Sequence, residues 1–427
     1  MNTTTRTLAL MAAAALVVSA CGRDEDEDGE ADDGAQTESV AEGPAEGTIE
    51  VWAMGAEGEN LDVLGAAFTE ENPDATVEVT PVPWEGAHDK IATAIAAGET
   101  PDVSLIGTTW MGEFAKTGGL DPTPEDLVNP DDFFPGPWES TVVEDTSYGV
   151  PWYVETRALY YRTDLAEQAG LEPPTSWDEL KSFAQGLQEQ GGAQQGIYMQ
   201  PGQTGSWQTF MPFAWQNGAQ LTDGDAYTID SPETVEALEF YKSFFEEGLS
   251  QDTPLDPGAL EQGFVDGTIG SFISGPWHIG LVRDVGGAEI DDKFDVVPLP
   301  GKDGGIGTSF VGGGNLAVFD ASDNRDAAWK FVQFASQPET QQLWYETIND
   351  LPSVQSAWEG GPLTDDPLVA VFGEQLGETA APPAVPTWEQ VAASIDSDIE
   401  QAVRGQVEPA DAVANMQQQA ESIGTGL

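Results

Sequence analysis

Cysteine and histidine are almost absent from this chain of 427 residues, which has one Cys and two His. With Cys21 alone, the rest of the chain has no disulfide, no thiolate metal site and no thiol nucleophile. Patterns of the types GxxxxGKS/T, HExxH and GxSxG are also missing, which removes three common catalytic or nucleotide-binding signatures. We expect His88 to be structural, on a surface helix, whereas His278 follows Trp277 and is a candidate ligand contact.

Basic residues are scarce as well. The chain has 14 Lys and Arg against 75 Asp and Glu, a formal net charge of −61 at pH 7. This charge repels phosphates, so we exclude nucleic acid as a partner. It also strains the compact state by self-repulsion at low salt, which suggests a saline or otherwise unusual habitat. Because the chain has so many acidic residues, two of them could form a catalytic pair of carboxylates, and this remains an alternative to a binding function.

No apolar run is long enough to span a bilayer, which takes about 20 residues. The longest, residues 8–20, covers 13 positions and ends in small residues before Cys21. We interpret residues 1–20 as a signal peptide. A cysteine at this point resembles the bacterial lipobox, which implies acylation of Cys21 and a lipid anchor on the outer face of the cell membrane. A plain signal peptide with an incidental cysteine is the alternative.

Residues 22–47 are acidic and contain only one large apolar residue, Val40. Such a segment buries too little surface to fold, so we predict that residues 21–47 are a lipidated cysteine and a flexible tether. The acidic spacing from Asp24 resembles a calcium loop, but its twelfth position is Ala35 and not the bidentate Glu. A solvated tether is therefore favoured over a calcium site.

Strand-like and helix-like segments alternate after the tether. Short apolar runs predict strands at 48–54, 75–82 and 102–106, and helical patterns lie at 61–71, 88–97 and 111–117. This order predicts a parallel sheet covered by helices, an α/β fold. Further strands are expected at 156–162, 269–273 and 311–319. Helices are expected after Ser176 and Ser231, and at 327–335, 391–403 and 410–423.

Tryptophan is abundant, with 13 residues. Several lie within two residues of a Gly or Pro: Trp84, Trp110, Trp152, Trp207, Trp277 and Trp388. A ring offers a flat apolar face and one N–H donor, which matches the C–H faces and hydroxyl rim of a sugar. We expect about a third of these rings to line a cleft for a neutral saccharide and the others to lie in the core.

Six short motifs carry a family resemblance. They are YGVPWYVE at 148–155, LYYRTDL at 159–165, PTSWDEL at 174–180, SGPW at 274–277, VPLP at 297–300 and GGGNLAV at 312–318. Their order and spacing resemble the bacterial extracellular solute-binding proteins of family 1, the carbohydrate-binding components of ABC importers. The resemblance extends over nearly all of the chain after the tether, from about residue 49 to about residue 423.

The resemblance implies a two-lobe periplasmic-binding-protein fold of type II, a clamshell with discontinuous lobes joined by a hinge. Lobe one would be 48–154 with 308–349, and lobe two 157–304 with 352–427. A saccharide would lie between the lobes, and the closed form would dock on ABC permease membrane subunits. The resemblance implies a monomer with no cofactor, no metal and no catalysis.

The resemblance also implies a set of ligand contacts. We expect a stacking ring from Trp277, a hydroxyl-binding carboxylate from Glu57 in the loop after the first strand, and backbone or amide donors from the glycine-rich strand. Ala56 replaces an acid of the maltose binder, and Thr109 and Trp110 replace a frequent Asp or Arg. The full set is Glu57, Thr109, Trp110, Tyr153, Glu155, Trp207, Gln208, Trp277, Gly313, Gly314, Asn315 and Trp388.

The sequence is also compatible with other functions. A secreted glycoside hydrolase would use two acids in the same aromatic cleft, and would release product from a pure sample. A surface adhesion or structural protein would bind no small molecule. The ligand could also be a polyol or another polar solute. Among the site residues, Glu155 could instead be a solvated charge and Trp277 a core anchor.

Overall fold

The protein is described from a computed structural model that covers residues 39–84, 86–203, 205–224 and 226–426. The predicted signal peptide, Cys21 and the calcium-like spacing lie outside the described residues. None of the described helices is long and apolar enough to cross a membrane.

Fourteen strands occur in the described residues. In chain order they are β1 Gly47–Met54, β2 Ala75–Val82, β3 Val103–Gly107, β4 Val142–Val143, β5 Thr146–Ser147, β6 Val150–Thr156, β7 Ala158–Arg162, β8 Thr222–Asp223, β9 Ala226–Tyr227, β10 Ser271–Ser274, β11 Phe294–Val297, β12 Ser309–Val318, β13 Leu351–Pro352 and β14 Thr379–Ala380.

Seventeen α-helices occur in the same residues. They are α1 Gly55–Asn60, α2 Asp62–Glu71, α3 Ala87–Ala97, α4 Met111–Lys116, α5 Pro135–Glu139, α6 Thr163–Ala169, α7 Trp177–Glu189, α8 Trp207–Gln216, α9 Pro232–Glu246, α10 Ala259–Val265, α11 Trp277–Gly286, α12 Arg325–Ala335, α13 Pro338–Ile348, α14 Pro362–Asp365, α15 Pro367–Leu376, α16 Trp388–Val403 and α17 Pro409–Ile423.

The larger sheet has the strand order β13-β6-β12-β3-β1-β2, with β14 beside β12. Strand β1 pairs in parallel with β2 and β3, as the alternation of strands and helices predicts. Strand β12 returns from far along the chain and runs antiparallel to both β3 and β6. The predicted parallel sheet is therefore correct for the first three strands, and the later strands make the sheet mixed.

The smaller sheet has the order β10-β7-β11, with both pairs antiparallel. It is joined to the larger sheet by one residue, because β6 ends at Thr156 and β7 begins at Ala158. The helices packed around the two sheets complete the predicted two-lobe fold.

Two predicted helix starts are confirmed in detail. Ser176 accepts a hydrogen bond from the backbone N–H of Glu179, whose carboxylate accepts one from the backbone N–H of Thr175. The first bond satisfies a donor that a helix N-terminus leaves free, and the second ties the residue before the cap to the first turn. At α9, Ser231 caps the backbone N–H of Thr234, and Pro232 is the first helical residue.

Two sequence predictions need correction near the start of the fold. The predicted tether extends too far, because Ala45 is buried and Val40 packs against the core of the larger sheet. A few apolar contacts were enough to bind a segment whose composition is otherwise that of a linker. The predicted loop after β1 is a short helix, α1, and it carries Glu57 in a buried position.

Candidate functional site

A cavity of about 850 Å³ opens between the lobes. The larger sheet and its helices contribute residues of α1, β6, β12 and the end of α13 to its lining, and the opposite wall comes mainly from α11 and α15. The volume falls within the range of small-molecule sites.

Exposed aromatic rings face into this cavity from both sides. Trp277 begins α11 and Trp84 follows β2, and each is 42% exposed although both line the cavity. Trp84 is supported from behind by Trp110, with ring centroids 5.7 Å apart in an edge-to-face arrangement. Open faces of this size leave apolar area that a ligand can cover.

The position of the Trp277 ring depends on the residue two places before it. A Cβ atom at Gly275 would overlap the six-membered ring of Trp277. Glycine at this position therefore lets the indole lie over the loop backbone. Behind the loop, the hydroxyl of Tyr160 donates a hydrogen bond of 2.6 Å to the carbonyl of Gly275.

Carboxylates are the main polar groups of the cavity. Among the described residues, five line it: Glu57, Glu155, Asp284, Asp350 and Asp366. The hydroxyl of Tyr153 is hydrogen-bonded to Glu57, and burial together with the charges of Glu57 and Asp350 raises the pKa of Tyr153 well above 10. The hydroxyl therefore stays protonated and keeps Glu57 in place.

Arg283, which lines the cavity, and Arg157, which lies beside it, are both already paired. Arg157 donates hydrogen bonds of 2.7 Å to Glu155 and to Gln208, and Arg283 bonds Asp291 at 2.7 Å and Asp366 at 2.8 Å. In these pairs, carboxylates neutralise the positive charge of both arginines. The cavity as a whole therefore carries an excess of negative charge.

Five predicted site residues line the cavity: Glu57, Tyr153, Glu155, Trp277 and Gly313. Gly313 has φ 123°, and a Cβ atom there would overlap the backbone of Tyr153. Only glycine allows β12 to pass this close to β6. Gln208 does not line the cavity and reaches its edge through Arg157.

The other predicted residues lie outside the lining. Thr109 and Trp110 belong to a short 3₁₀ turn after β3, where Trp110 supports Trp84. Gly314 is buried in β12 with Leu105 and Tyr153 beside it. Thr109 and Gly314 therefore do not line this cavity, and Trp110 contributes by supporting the ring of Trp84.

Three further predictions are corrected by burial. Trp207 is 5% exposed and Trp388 is fully buried, and their rings pack edge to face 5.1 Å apart in a hydrophobic core of the second lobe. Asn315 is 1% exposed, and its side-chain amide bonds the hydroxyl of Ser140 at 3.1 Å. The two tryptophans are therefore part of the internal packing, and the amide of Asn315 is engaged by an internal hydrogen bond.

The sequence did not single out several lining residues, among them Trp84, Asp350 and Arg283. Asp350 follows Asn349, which ends α13 in a left-handed conformation with φ 65°. An asparagine at a helix end is a recognisable stop signal, but it does not reveal that the next residue turns into a cavity. Trp84 stood among the tryptophans beside proline, without a reason to prefer it.

Neither histidine lines the cavity. His88 bonds Glu113 at 3.0 Å and stacks on Phe114, as expected for a structural residue. His278 lies behind the cavity wall, with Nδ1 2.7 Å from the Ser274 hydroxyl and Nε2 3.2 Å from Glu261. In the described ranges, no group of three or more His, Cys, Asp or Glu could hold a metal ion.

Comparisons with known proteins agree with this architecture. Residues 53–342 match the family model of the bacterial extracellular solute-binding proteins. A putative binding protein of Brucella abortus is 28% identical over 83% of this chain and 87% of its own. The diacetylchitobiose-binding protein DasA of Streptomyces coelicolor is 30% identical over 88% of this chain and 87% of its own.

A solved structure gives the same result. The sugar-binding protein MalE from Xanthomonas citri superimposes with a TM-score of 0.83 at 32% identity, over 88% of this chain and 97% of that protein. The fold, the cavity between two lobes and the family match together lead to one conclusion. The chain belongs to the bacterial extracellular solute-binding protein family.

Proposed function

We propose that this chain is the substrate-binding component of an ABC sugar importer and captures a saccharide between its two lobes. The observation that carries the proposal is the open ring of Trp277, which faces a carboxylate-lined cavity between the lobes. The likeness to a sugar-binding protein and to a diacetylchitobiose-binding protein supports it.

The cavity chemistry favours a neutral saccharide. Carboxylates accept hydrogen bonds from hydroxyls, and Glu57, Glu155 and Asp350 line the space next to the two tryptophans. An acidic sugar would meet the excess negative charge while both nearby arginines are engaged by carboxylates. We therefore place the ligand among neutral mono- and oligosaccharides, with a neutral polyol as the alternative.

The contacts that we propose come from both sides of the cavity. Trp277 and Trp84 stack on the C–H faces of the sugar, and Glu57, Tyr153, Glu155 and Asp350 bind hydroxyls. Gly313 leaves room beside β6. The first lobe would consist of about 48–154 with 308–349, and the second of about 157–304 with 352–427. Closure of these lobes would bury the ligand and create the surface for the permease subunits.

The proposed role is binding without catalysis, and the protein would act as a monomer. A glycoside hydrolase would need one carboxyl group as acid and a second as base or nucleophile on opposite sides of the bond. Here Arg157 holds Glu155 and the hydroxyl of Tyr153 holds Glu57. The arrangement suits steady hydrogen bonding better than proton transfer.

A lipid anchor on Cys21 completes the proposal. A diacylglycerol carries two acyl chains, and two chains give stable membrane attachment where one gives only marginal binding. The acidic segment after Cys21 would let the lobes reach solvent while they stay beside the permease. The location would then be the extracellular face of the cell membrane.

The decisive experiment is calorimetric titration of the purified protein carrying Cys21→Ser against mono-, di- and oligosaccharides. We expect saturable binding of at least one neutral sugar, which is recovered intact by chromatography after long incubation. Release of shorter sugars would support the hydrolase instead. Binding of uronic acids only, or of no saccharide, would overturn the proposed ligand class.

A further inference from the structure

Arg157 occupies the single position between the two sheets. Its backbone N–H donates to the hydroxyl of Ser309 at 3.2 Å, and that hydroxyl donates to the carbonyl of Arg157 at 2.9 Å. The side chain is only 9% exposed. The residue is therefore fixed at both its backbone and its charged end.

The guanidinium group lies against two aromatic rings. Its central carbon is 4.7 Å from the ring centroid of Trp277 and 5.3 Å from that of Phe310. One nitrogen bonds Glu155 and the other bonds Gln208, each at 2.7 Å. Arginine is suited to this place because its planar group can stack and donate in two directions at once, which a lysine cannot do.

The surroundings of the Trp277 ring fix its orientation. One side of the indole faces Arg157, Gly275 leaves space below it, and the ring is still 42% exposed toward the cavity. Arg157 is not part of the cavity lining. The neighbours of Arg157 that do line the cavity are Trp277 and Glu155, so these two side chains are the direct routes from Arg157 to a ligand.

We infer that Arg157 is a positioning residue that holds the Trp277 ring in the orientation needed to stack on a saccharide. A ring fixed before binding loses less conformational freedom when the ligand arrives, which raises affinity without a direct contact. The contribution to saccharide affinity rests on the proposed function. The orientation of the ring in the ligand-free protein does not depend on the proposed function.

The test is a double-mutant cycle with Arg157→Lys and Trp277→Ala, measured by calorimetric titration with the tightest-binding sugar. Lysine keeps a positive charge beside Glu155 but loses the stacked plane and the bond to Gln208. We expect Arg157→Lys to weaken binding about tenfold alone, and by less than about twofold when Trp277 is already Ala. An equal loss in both backgrounds, or no loss in either, would overturn the inference.

A second measurement reports on the ring without any ligand. In protein labelled with 5-fluorotryptophan, the ¹⁹F resonance of Trp277 is identified by its loss in Trp277→Ala. We expect Arg157→Lys to shift and broaden this resonance while most others stay in place. An unchanged Trp277 resonance contradicts the inference even if no sugar binds, so its failure is separate from that of the proposed function.

Arg162→Lys is the matched control. Arg162 is also buried, on β7, where its guanidinium bonds Asp164 and the backbone carbonyls of Phe264 and Val265. Its replacement should lower the unfolding temperature but change neither the affinity nor the Trp277 resonance. A similar loss of affinity in this control would show that general destabilisation explains the effect.

Discussion

The indole nitrogen of Trp344 donates a hydrogen bond of 3.1 Å to the carboxylate of Asp350 at the edge of the cavity. Trp344 is itself stacked on Trp152, with ring centroids 4.7 Å apart, so the donor is held by the core. Burial raises the pKa of Asp350 well above 3.8, the charge of Glu57 adds to this, and the bond from Trp344 only partly offsets it. Asp350 therefore keeps its proton to higher pH than an exposed aspartate.

This arrangement predicts that Asp350→Asn stabilises the protein at alkaline pH. The pKa in the folded state lies above that of the unfolded state, so the contribution of Asp350 to stability is present at low pH and is lost as the pH rises through the folded pKa. Asparagine cannot ionise and avoids that loss. Calorimetric melting should give a higher unfolding temperature for Asp350→Asn at pH 8, with a difference that shrinks toward pH 4. An equal melting temperature at pH 8 would refute this.

His278 predicts the opposite pH dependence. Burial lowers its pKa to about 4, although Glu261 opposes the shift. The unfolded chain takes up a proton near pH 6.5 and the folded protein does not, so this contribution to stability is lost as the pH falls from 6.5 toward 4. The stability advantage of the wild type over His278→Gln should therefore shrink by about 1–3 kcal/mol over that range. Denaturant titrations at several pH values would measure it, and a constant difference would contradict it.

Trp277→Ala should weaken saccharide binding by about 1–3 kcal/mol, because a stacking face and its apolar area are lost. Stability should change little, since the ring is 42% exposed. Val285→Ala is the control, because Val285 is 43% exposed on the same helix and does not line the cavity. Unchanged calorimetric titration of Trp277→Ala would remove Trp277 from the site.

Gly275→Ala should displace the indole ring of Trp277, because Gly275 lies directly against it. The added methyl group would overlap the indole of Trp277, so the ring must move before a sugar can stack on it. We expect a loss of affinity of at least about fivefold with the far-ultraviolet spectrum unchanged, since about 1 kcal/mol of displaced stacking is enough for that factor. Gly377→Ala, at an exposed helix end away from the cavity, should bind normally. Equal affinity of the two variants would show that the ring tolerates the displacement.

The lipid anchor has its own test. Cys21→Ser removes the proposed acylation site, so the protein should be found in the medium or remain unprocessed. Partition of cell extracts into detergent, followed by mass analysis of the N-terminus, distinguishes these outcomes. Membrane retention of the variant through an acyl group would exclude Cys21 as the anchor.

Local patterns predicted a large part of the fold. Strand β2 has the predicted bounds, and α7 and α9 begin directly after the predicted capping serines. These features depend on neighbours within a few residues, so one sequence contains enough information. The mixed pairing of β12 with β3 and β6 depends on contacts about 155 to 215 residues apart along the chain, which local periodicity does not encode.

The site was predicted less completely, for a related reason. Trp277 and Glu155 lie in recognisable motifs and line the cavity. Trp388 also follows a Pro-rich stretch, but it packs against Trp207 inside the second lobe. The same residue type serves both purposes, and only the tertiary contacts separate them. The role of Arg157 was not predicted from the sequence, because its two aromatic partners come from distant parts of the chain.

The one-residue crossover between β6 and β7 limits how the lobes can move. The backbone of Arg157 is bonded to Ser309, so two of the segments that connect the lobes are held side by side where they pass between the sheets. Two short strands clamped in this way bend more easily than they stretch or slide. We therefore expect the lobes to move mainly by rotation about an axis across these strands. Each opening should return the walls to the same register, so the cavity can be emptied and refilled without losing its shape.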